Sequence, residues 1–185
     1  MSHAGRSRRR SIRLRDYDYS QVGAYFVTIC TYNRELFLED ASIRQIAETC
    51  WKAIPDHSPD VVLDEWVIML NHLHGILVLA DDRREIGEDN RRGVQLNAPT
   101  RDRHNPFSAM SPQRRTLSVV IRTYKAAVTT LCRRAGHDFA WQRNYFEHVV
   151  RDEDDLSRIR RYIRDNPLCW DLDENNPACE LAGSK

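Results

Sequence analysis

The segment from residue 61 to residue 80 constrains the fold of this chain more than any other. It consists of two mostly apolar stretches, 61–69 and 72–80, which are separated by Leu70-Asn71. This pattern predicts one strand from Val61 to Met69, a tight turn, and a second strand from His72 to Ala80. Two strands joined by so short a connection pair as an antiparallel hairpin.

The second strand of this hairpin carries two histidines, His72 and His74, on either side of Leu73. Alternate side chains of a strand point to opposite faces, so both imidazoles are expected on one face and Leu73 in the core. Two adjacent neutral imidazoles supply two of the three protein ligands of a typical catalytic metal site. The alternative is a partly exposed pair of histidines that only form hydrogen bonds.

The rest of the sequence predicts two kinds of element around this hairpin. A further strand is expected at Gly23–Tyr32, and a short one lies within Trp141–Val150. Apolar residues at three- and four-residue spacings predict three helices, at 41–54, 116–134 and 152–166. Asp40 is expected to cap the first helix and Pro55 to close it, Gly136 to end the second, and Asp152 to cap the third and Pro167 to stop it. The order of elements predicts an α+β fold, a ferredoxin-like βαββαβ antiparallel sheet with helices on one face and an additional C-terminal helix.

The chain of 185 residues is long enough for one domain with a substantial core. We expect a basic arm at 1–20, a domain at 21–170 that contains a long loop at 81–115, and an acidic tail at 171–185. No apolar run is long enough to span a bilayer and no secretory signal is evident, so we expect no membrane partner. The cysteine usage favours a reducing cytoplasm as the location. Five widely spaced cysteines argue against a disulfide framework.

The positive charges are clustered although the formal net charge is only +1. Residues 1–15 and 113–134 are rich in arginine and contain no acidic residue. Such clusters make a nucleic-acid partner plausible, although arginine-rich surfaces are often only solvated. The candidate phosphate contacts are Arg8, Arg9, Arg10, Arg122 and Lys125.

The last predicted helix places a tyrosine and an asparagine near its buried stripe. Tyr162 flanks that stripe, and Asn166 follows four residues later, about one turn along the same face. Residues that precede proline avoid the helical region, so Asn166 is expected at the helix end with its amide reaching outward. With the histidine pair it would form a set of ligands for Mg²⁺ or Mn²⁺, and the Tyr162 hydroxyl beside a metal-bound phosphate would be a nucleophile. Alternatively, Tyr162 is a residue at the edge of the core and Asn166 is part of a common helix-end dipeptide.

Two segments resemble a known family. Residues 65–79, EWVIMLNHLHGILVL, resemble the HUH hairpin of IS200-type tyrosine transposases, and residues 141–170 resemble the signature of the REP-associated tyrosine transposases. The resemblance implies that His72 and His74 are metal ligands, that Asn166 is the third ligand and that Tyr162 is the nucleophile. It also implies cleavage and rejoining of single-stranded DNA beside hairpins of repetitive extragenic palindromes, through a 5′-phosphotyrosine and a free 3′-hydroxyl.

Several alternatives to this interpretation stay open. Leu70 stands where such proteins often have proline, and Tyr124 is a rival nucleophile, although Val128 four residues later cannot bind a metal. A non-catalytic single-stranded nucleic-acid-binding module could stack bases on Tyr25 and Tyr32. A metal-dependent nuclease could use water instead of tyrosine. IS200-type relatives act as dimers with shared sites, so the chain could be a monomer or a homodimer.

Overall fold

The protein is described by a computed structural model that covers residues 21–80, 116–173 and 175–176. The predicted basic arm, with Arg8, Arg9 and Arg10, and the predicted loop at 81–115 lie outside the described residues, as does most of the predicted acidic tail. The division of the chain at these boundaries therefore stays a prediction.

Four strands form one antiparallel sheet in the order β2-β3-β1-β4. Their bounds are Gly23–Cys30 (β1), Val61–Ile68 (β2), His72–Leu79 (β3) and Phe146–Val149 (β4). This is the predicted ferredoxin-like strand order. The strand β1 ends before the predicted limit because the chain turns into a 3-10 helix at Tyr32–Arg34.

The helices are Ala41–Lys52 (α1), Ile54–His57 (α2), Leu117–Arg134 (α3) and Glu153–Asp165 (α4). Asp40 caps α1 as predicted, since its carboxylate accepts hydrogen bonds from the backbone N–H groups of Ser42 and Ile43 at 2.8 and 3.2 Å. The prediction that Pro55 closes this helix is wrong. Pro55 lies in the first turn of α2, where the N–H that proline lacks would have no partner within the helix.

Gly136 ends α3 as predicted. Its φ of 88° is the left-handed conformation that glycine adopts without strain. The N–H of Gly136 donates to the carbonyl of Arg133 at 3.1 Å, and that of His137 donates to Cys132 at 2.9 Å. These two bonds form a Schellman motif, which satisfies carbonyl groups in the last turn of the helix.

Helices cover both faces of the sheet. The large core cluster joins α1 and α3 to one face, where Trp51 lies against the backbone of Gly75. A smaller cluster on the other face joins α4, through Leu156, Ile159 and Ile163, to β1 and β3. The additional C-terminal helix is therefore the one that covers the histidine face of the sheet. None of the helices in the described residues is long and apolar enough to cross a membrane.

The end of α4 differs from the prediction. Asp152 caps the helix by accepting from the N–H of Asp155 at 2.8 Å, as expected. Asn166, however, has helical angles of φ −55° and ψ −41° and is buried, so its amide does not reach outward. The α-helix ends at Asp165, one residue before the predicted limit, and Pro167 lies in the first turn of a 3-10 helix, Asn166–Leu172, where its missing N–H costs nothing. This segment leads into Asp173, which is also buried.

Candidate metal centre and tyrosine site

The two histidines of β3 meet on the face that α4 covers. His72 and His74 are buried, and their Nε2 atoms lie 2.9 Å apart, while Leu73 packs in the core on the opposite face. The predicted alternation is therefore confirmed. Burial lowers the pKa of His72 to about 4 and that of His74 to about 3, because a charged imidazole loses hydration inside the protein. Both rings are neutral at neutral pH and can act as metal ligands.

Asn71 determines which nitrogen of His72 carries the proton. Its Nδ2 donates to the backbone carbonyls of Arg34 and Asn175, at 2.9 and 2.8 Å, and these bonds fix the orientation of the carboxamide. Its Oδ1, which can only accept, lies 2.8 Å from Nδ1 of His72. The proton of His72 is therefore on Nδ1, and Nε2 presents a lone pair to the site.

Thr28 makes the equivalent contact to His74 but with a different consequence. Its hydroxyl, on the neighbouring strand β1, lies 2.8 Å from Nδ1 of His74. A hydroxyl can donate or accept, so it is compatible with either tautomer of the ring. Without a cation, His74 can donate from Nε2 to His72; as a ligand it would carry its proton on Nδ1 and donate to Thr28.

Two buried side chains with oxygen atoms that could bind a metal, Asn166 and Asp173, complete the surroundings of the histidine pair. Asp173 Oδ2 lies 3.6 Å from His72 Nε2, and ligand atoms of His72, His74 and Asp173 lie within 4.8 Å of one another. These three residues form a group that could hold a metal ion. Burial acts to raise the pKa of Asp173, but the N–H of Asn175, the nearby His72 and the side chain of Asn166 lower it below its usual value.

Sequence reasoning proposes Asn166 as the oxygen ligand, which stays a prediction, and it missed Asp173. The carboxyl group belongs to a stretch that was interpreted by composition as an acidic tail, and no spacing to the histidines marks it. The 3-10 helix after α4 carries it back to the sheet. Its contact with Asn175, whose N–H donates to Oδ1 at 2.6 Å, then holds it beside His72.

The donor set fits a divalent cation such as Mg²⁺ or Mn²⁺. Neighbouring ligands at about 90° around a cation with bonds of about 2.1 Å are roughly 3.0 Å apart, which is close to the separation of the two Nε2 atoms. Within the described residues, Asn166 Oδ1 and Asp173 Oδ2 are buried without a hydrogen-bond partner. Each such atom costs about 1–3 kcal/mol, a cost that a cation would offset.

Tyr162 lies at the edge of this centre. Its hydroxyl is 3.3 Å from Nε2 of His74, and its ring lies 5.2 Å from the His74 ring. The side chain is 44% exposed, so a ligand from solvent can reach it. Tyr124, the rival, is buried in the core as its helical stripe predicted, and its hydroxyl donates to the carbonyl of Ala47 at 3.3 Å. Burial also raises its pKa well above the ordinary value, which makes it a poorer nucleophile.

The predicted phosphate contacts on α3 lie apart from this centre, on the helix that covers the opposite face of the sheet. The ammonium of Lys125 donates to the backbone carbonyls of Gln142 and Arg143. Lys125 and Arg122 border a cavity of about 380 Å³ together with Arg143. Their role in binding DNA stays a prediction.

Of the two tyrosines on which a non-catalytic binding module could stack bases, one is not accessible. Tyr25 is buried on the face that α1 and α3 cover, and its hydroxyl donates to the carbonyl of Gln21 at 2.8 Å. Only Tyr32 of that pair is exposed.

Comparison with known proteins identifies a family and a fold. No family model matches the chain. An uncharacterized protein of Haemophilus influenzae is 38% identical over 181 residues, which cover 93% of this chain and 95% of that protein. The two chains belong to one family.

Among solved structures, a REP-associated tyrosine transposase bound to a REP hairpin is similar, with a TM-score of 0.52 and 21% identity over 80% of this chain and 68% of that one. The protein therefore has the fold of a REP-associated tyrosine transposase, which confirms the fold that the sequence resemblance implied. A Deinococcus radiodurans structure is more distant, with a TM-score of 0.42 and 15% identity over 83% of this chain and 95% of that one.

Proposed function

We propose that this protein is a metal-dependent tyrosine transposase, a single-strand DNA endonuclease and strand transferase that acts beside hairpin DNA. The observation that carries the proposal is the position of the Tyr162 hydroxyl, 3.3 Å from the Nε2 atom of His74, which itself faces His72 Nε2 at 2.9 Å. A half-exposed phenol beside two buried neutral imidazoles suits nucleophilic attack on a phosphodiester better than it suits packing.

His72 and His74 would hold Mg²⁺ or Mn²⁺ together with Asn166, and Asp173 is placed to add a carboxylate oxygen. A bound cation would polarise the scissile phosphate and offset charge that develops on it. Asn71 keeps the Nε2 lone pair of His72 directed into the site.

Tyr162 acts as the nucleophile. Its phenolic oxygen forms a bond to phosphorus as the bond between phosphorus and the 3′-oxygen breaks. The phenol loses its proton to solvent, and the departing oxygen takes up a proton to become a free 3′-hydroxyl. The 5′-phosphate remains on Tyr162 until the 3′-hydroxyl of another strand attacks and restores the phenol, so the bond energy is conserved and no external energy source is needed.

The proposed substrate is single-stranded DNA next to a hairpin such as a repetitive extragenic palindrome. The similar fold of a REP-associated tyrosine transposase that was solved with a REP hairpin supports this choice. The exposure of Tyr162 supports it too, because the phosphodiester of an incoming strand must reach the phenol from solvent.

The test is a cleavage assay on a hairpin oligonucleotide with unpaired flanks, with Mn²⁺, resolved on a denaturing gel. The unmodified protein is expected to form a covalent adduct, and Tyr162→Phe is expected to form none. Tyr124→Phe, which alters a buried tyrosine of α3, is the matched control and is expected to keep the adduct. An adduct with Tyr162→Phe would show that another residue attacks, and cleavage without any adduct would favour the nuclease that uses water.

The ligand roles have a separate test. His72→Ala is expected to abolish cleavage and spare hairpin binding, because the imidazole serves the chemistry more than docking. Asn166→Ala and Asp173→Ala, compared in a direct Mn²⁺ titration, measure how much each oxygen contributes to metal affinity. If His72→Ala lost hairpin binding and cleavage to the same extent, the histidine would have a structural role instead.

A further inference from the structure

An aromatic cluster extends from the tyrosine site to the edge of the sheet. The ring of Phe26 stacks on the ring of His74 at 5.4 Å, and it meets the rings of Tyr162 and Phe146 edge-on at 6.1 and 6.3 Å. Phe26 is buried, whereas Phe146 is 44% exposed. The cluster therefore has two solvent-facing members, the proposed nucleophile and a phenylalanine.

The sheet register places Phe146 in line with the site. Thr28 is paired with His74 on one side and with Phe146 on the other. Phe146 is thus two strands away from His74, a distance of roughly 10 Å between the backbones. It also lies on the same face of the sheet, since cross-strand partners share a face.

We propose that Phe146 is a stacking platform for an unpaired nucleobase of the strand whose phosphate Tyr162 attacks. This inference rests on the proposed function. A nucleotide next to the attacked phosphate can place its base over the exposed ring, and stacking on an aromatic side chain accepts every base because each has a π-face.

The surroundings of Phe146 favour a base over a partner protein. Seven large apolar or aromatic side chains are exposed within the described residues. Two of them, Phe146 and Tyr162, contact the ring of Phe26 with their own rings. Phe146 is thus connected to the phosphodiester site through the buried ring of Phe26. Strand β4 fixes the backbone of Phe146 and Phe26 packs against its ring, which lowers the entropic cost of binding a base there.

The experiment uses the full chain and a hairpin with unpaired flanks, in which the fluorescent base 2-aminopurine replaces one flank base at a time. The buffer contains a chelator, so that no cleavage occurs. The unmodified protein is expected to quench the probe at one flank position. Phe146→Leu keeps an apolar side chain for Phe26 and is expected to abolish that quenching, with affinity reduced about 5- to 150-fold. Phe146→Trp is expected to keep both, and Leu131→Ala, an exposed apolar residue on α3, is the matched control.

An abasic nucleotide at the quenched position completes the test. It is expected to weaken binding of the unmodified protein by the same factor and to leave Phe146→Leu unaffected. Unchanged quenching and affinity in Phe146→Leu would overturn the inference, as would the absence of quenching at every flank position. Because these readings need no cleavage, the absence of an adduct when the unmodified protein is given Mn²⁺, with quenching retained, would refute the proposed function alone.

Discussion

Replacing Thr28 by valine tests the role of the histidine pair with little change in shape. Valine keeps the β-branched side chain that the strand favours, but it removes the hydroxyl that lies 2.8 Å from Nδ1 of His74. In the metal-bound form, Nδ1 of His74 must carry a proton, and this buried N–H would then have no acceptor. The variant is expected to bind metal more weakly while it keeps the fold.

The size of the effect follows from the loss of one buried partner. An unsatisfied buried donor costs about 1–3 kcal/mol, and removing the hydrogen-bond partner of a metal-bound histidine lowers metal affinity about 10- to 100-fold. We therefore expect a Kd for Mn²⁺ that is about 10- to 100-fold higher in Thr28→Val. In the metal-free protein the same change leaves the Nδ1 lone pair of His74 without a donor, so only the difference between the two costs lowers the metal affinity.

The assay is a Mn²⁺ titration followed by the electron paramagnetic resonance signal of the free ion. Thr28→Ser, which restores a hydroxyl, is the control and is expected to bind almost as tightly as the unmodified protein. Nitrogen-15 spectra of the imidazoles provide a second measurement: the His74 tautomer should change when a diamagnetic cation such as Mg²⁺ binds, and the His72 tautomer should not. Equal Mn²⁺ affinity for Thr28→Val and Thr28→Ser would refute the tautomer reasoning.

Three further changes probe the fold and its charges. Gly75→Ala would place a Cβ 3.0 Å from Cη2 of Trp51 and closer still to Cζ2, so we expect about 1–3 kcal/mol less stability in chemical denaturation, and no loss would mean that the ring can move. Asp155→Asn weakens the contacts of this carboxylate with His148 and Arg158, at 2.8 and 2.5 Å, and should lower the free energy of unfolding by about 2 kcal/mol. Burial acts to raise the pKa of Asp155, but these hydrogen bonds and the Arg151 N–H lower it. The contribution of Asp155 to the free energy of unfolding is therefore present above the unfolded pKa of about 3.9 and is lost as the pH falls through the folded value. A loss of stability in Asp155→Asn that persists at the lowest pH would contradict this. Deleting residues 1–10, which include four arginines, should weaken hairpin binding more at low salt than at high salt, and a deficit independent of salt would argue against an electrostatic arm.

The sequence predicted the parts of the site that depend on periodicity. The alternation of β3 predicts His72 and His74 on one face, and the helical pattern of α4 predicts Tyr162 at the flank of its buried stripe. The resemblance to the transposases is what implies that the tyrosine and the histidines share one site. These residues were accessible to sequence reasoning because regular strands and helices determine side-chain direction locally.

The parts that were missed depend on irregular backbone. Asn166 was expected to reach outward, but it takes helical angles and is buried, because the following proline begins a 3-10 helix. Asp173 reaches His72 only through that 3-10 helix. The close approach of Trp51 to Gly75 is a tertiary contact between α1 and β3 that no local pattern encodes.

The structure bears on whether one chain can assemble the site alone. The helix α4, which carries Tyr162, is held to its own sheet by the apolar cluster around Ile159. Two polar contacts add to this cluster: the bidentate ion pair of Arg160 with Asp64, whose shortest contact is 2.6 Å, and the contact of Asp155 with His148. Because these contacts fix the phenol beside His74 of the same chain, a second chain is not needed to supply it.

A mixing experiment tests this reasoning. His72→Ala lacks a ligand but keeps the tyrosine, and Tyr162→Phe lacks the tyrosine but keeps the ligands. If each site is built within one chain, an equimolar mixture of the two variants should form no adduct on hairpin DNA, whereas exchange of α4 between the chains of a dimer would restore about a quarter of the sites for random pairing and equal exchange. An adduct in the mixture, and none with either variant alone, would show that the nucleophile acts on a neighbouring subunit's metal centre and that the contacts holding α4 to its own sheet can open.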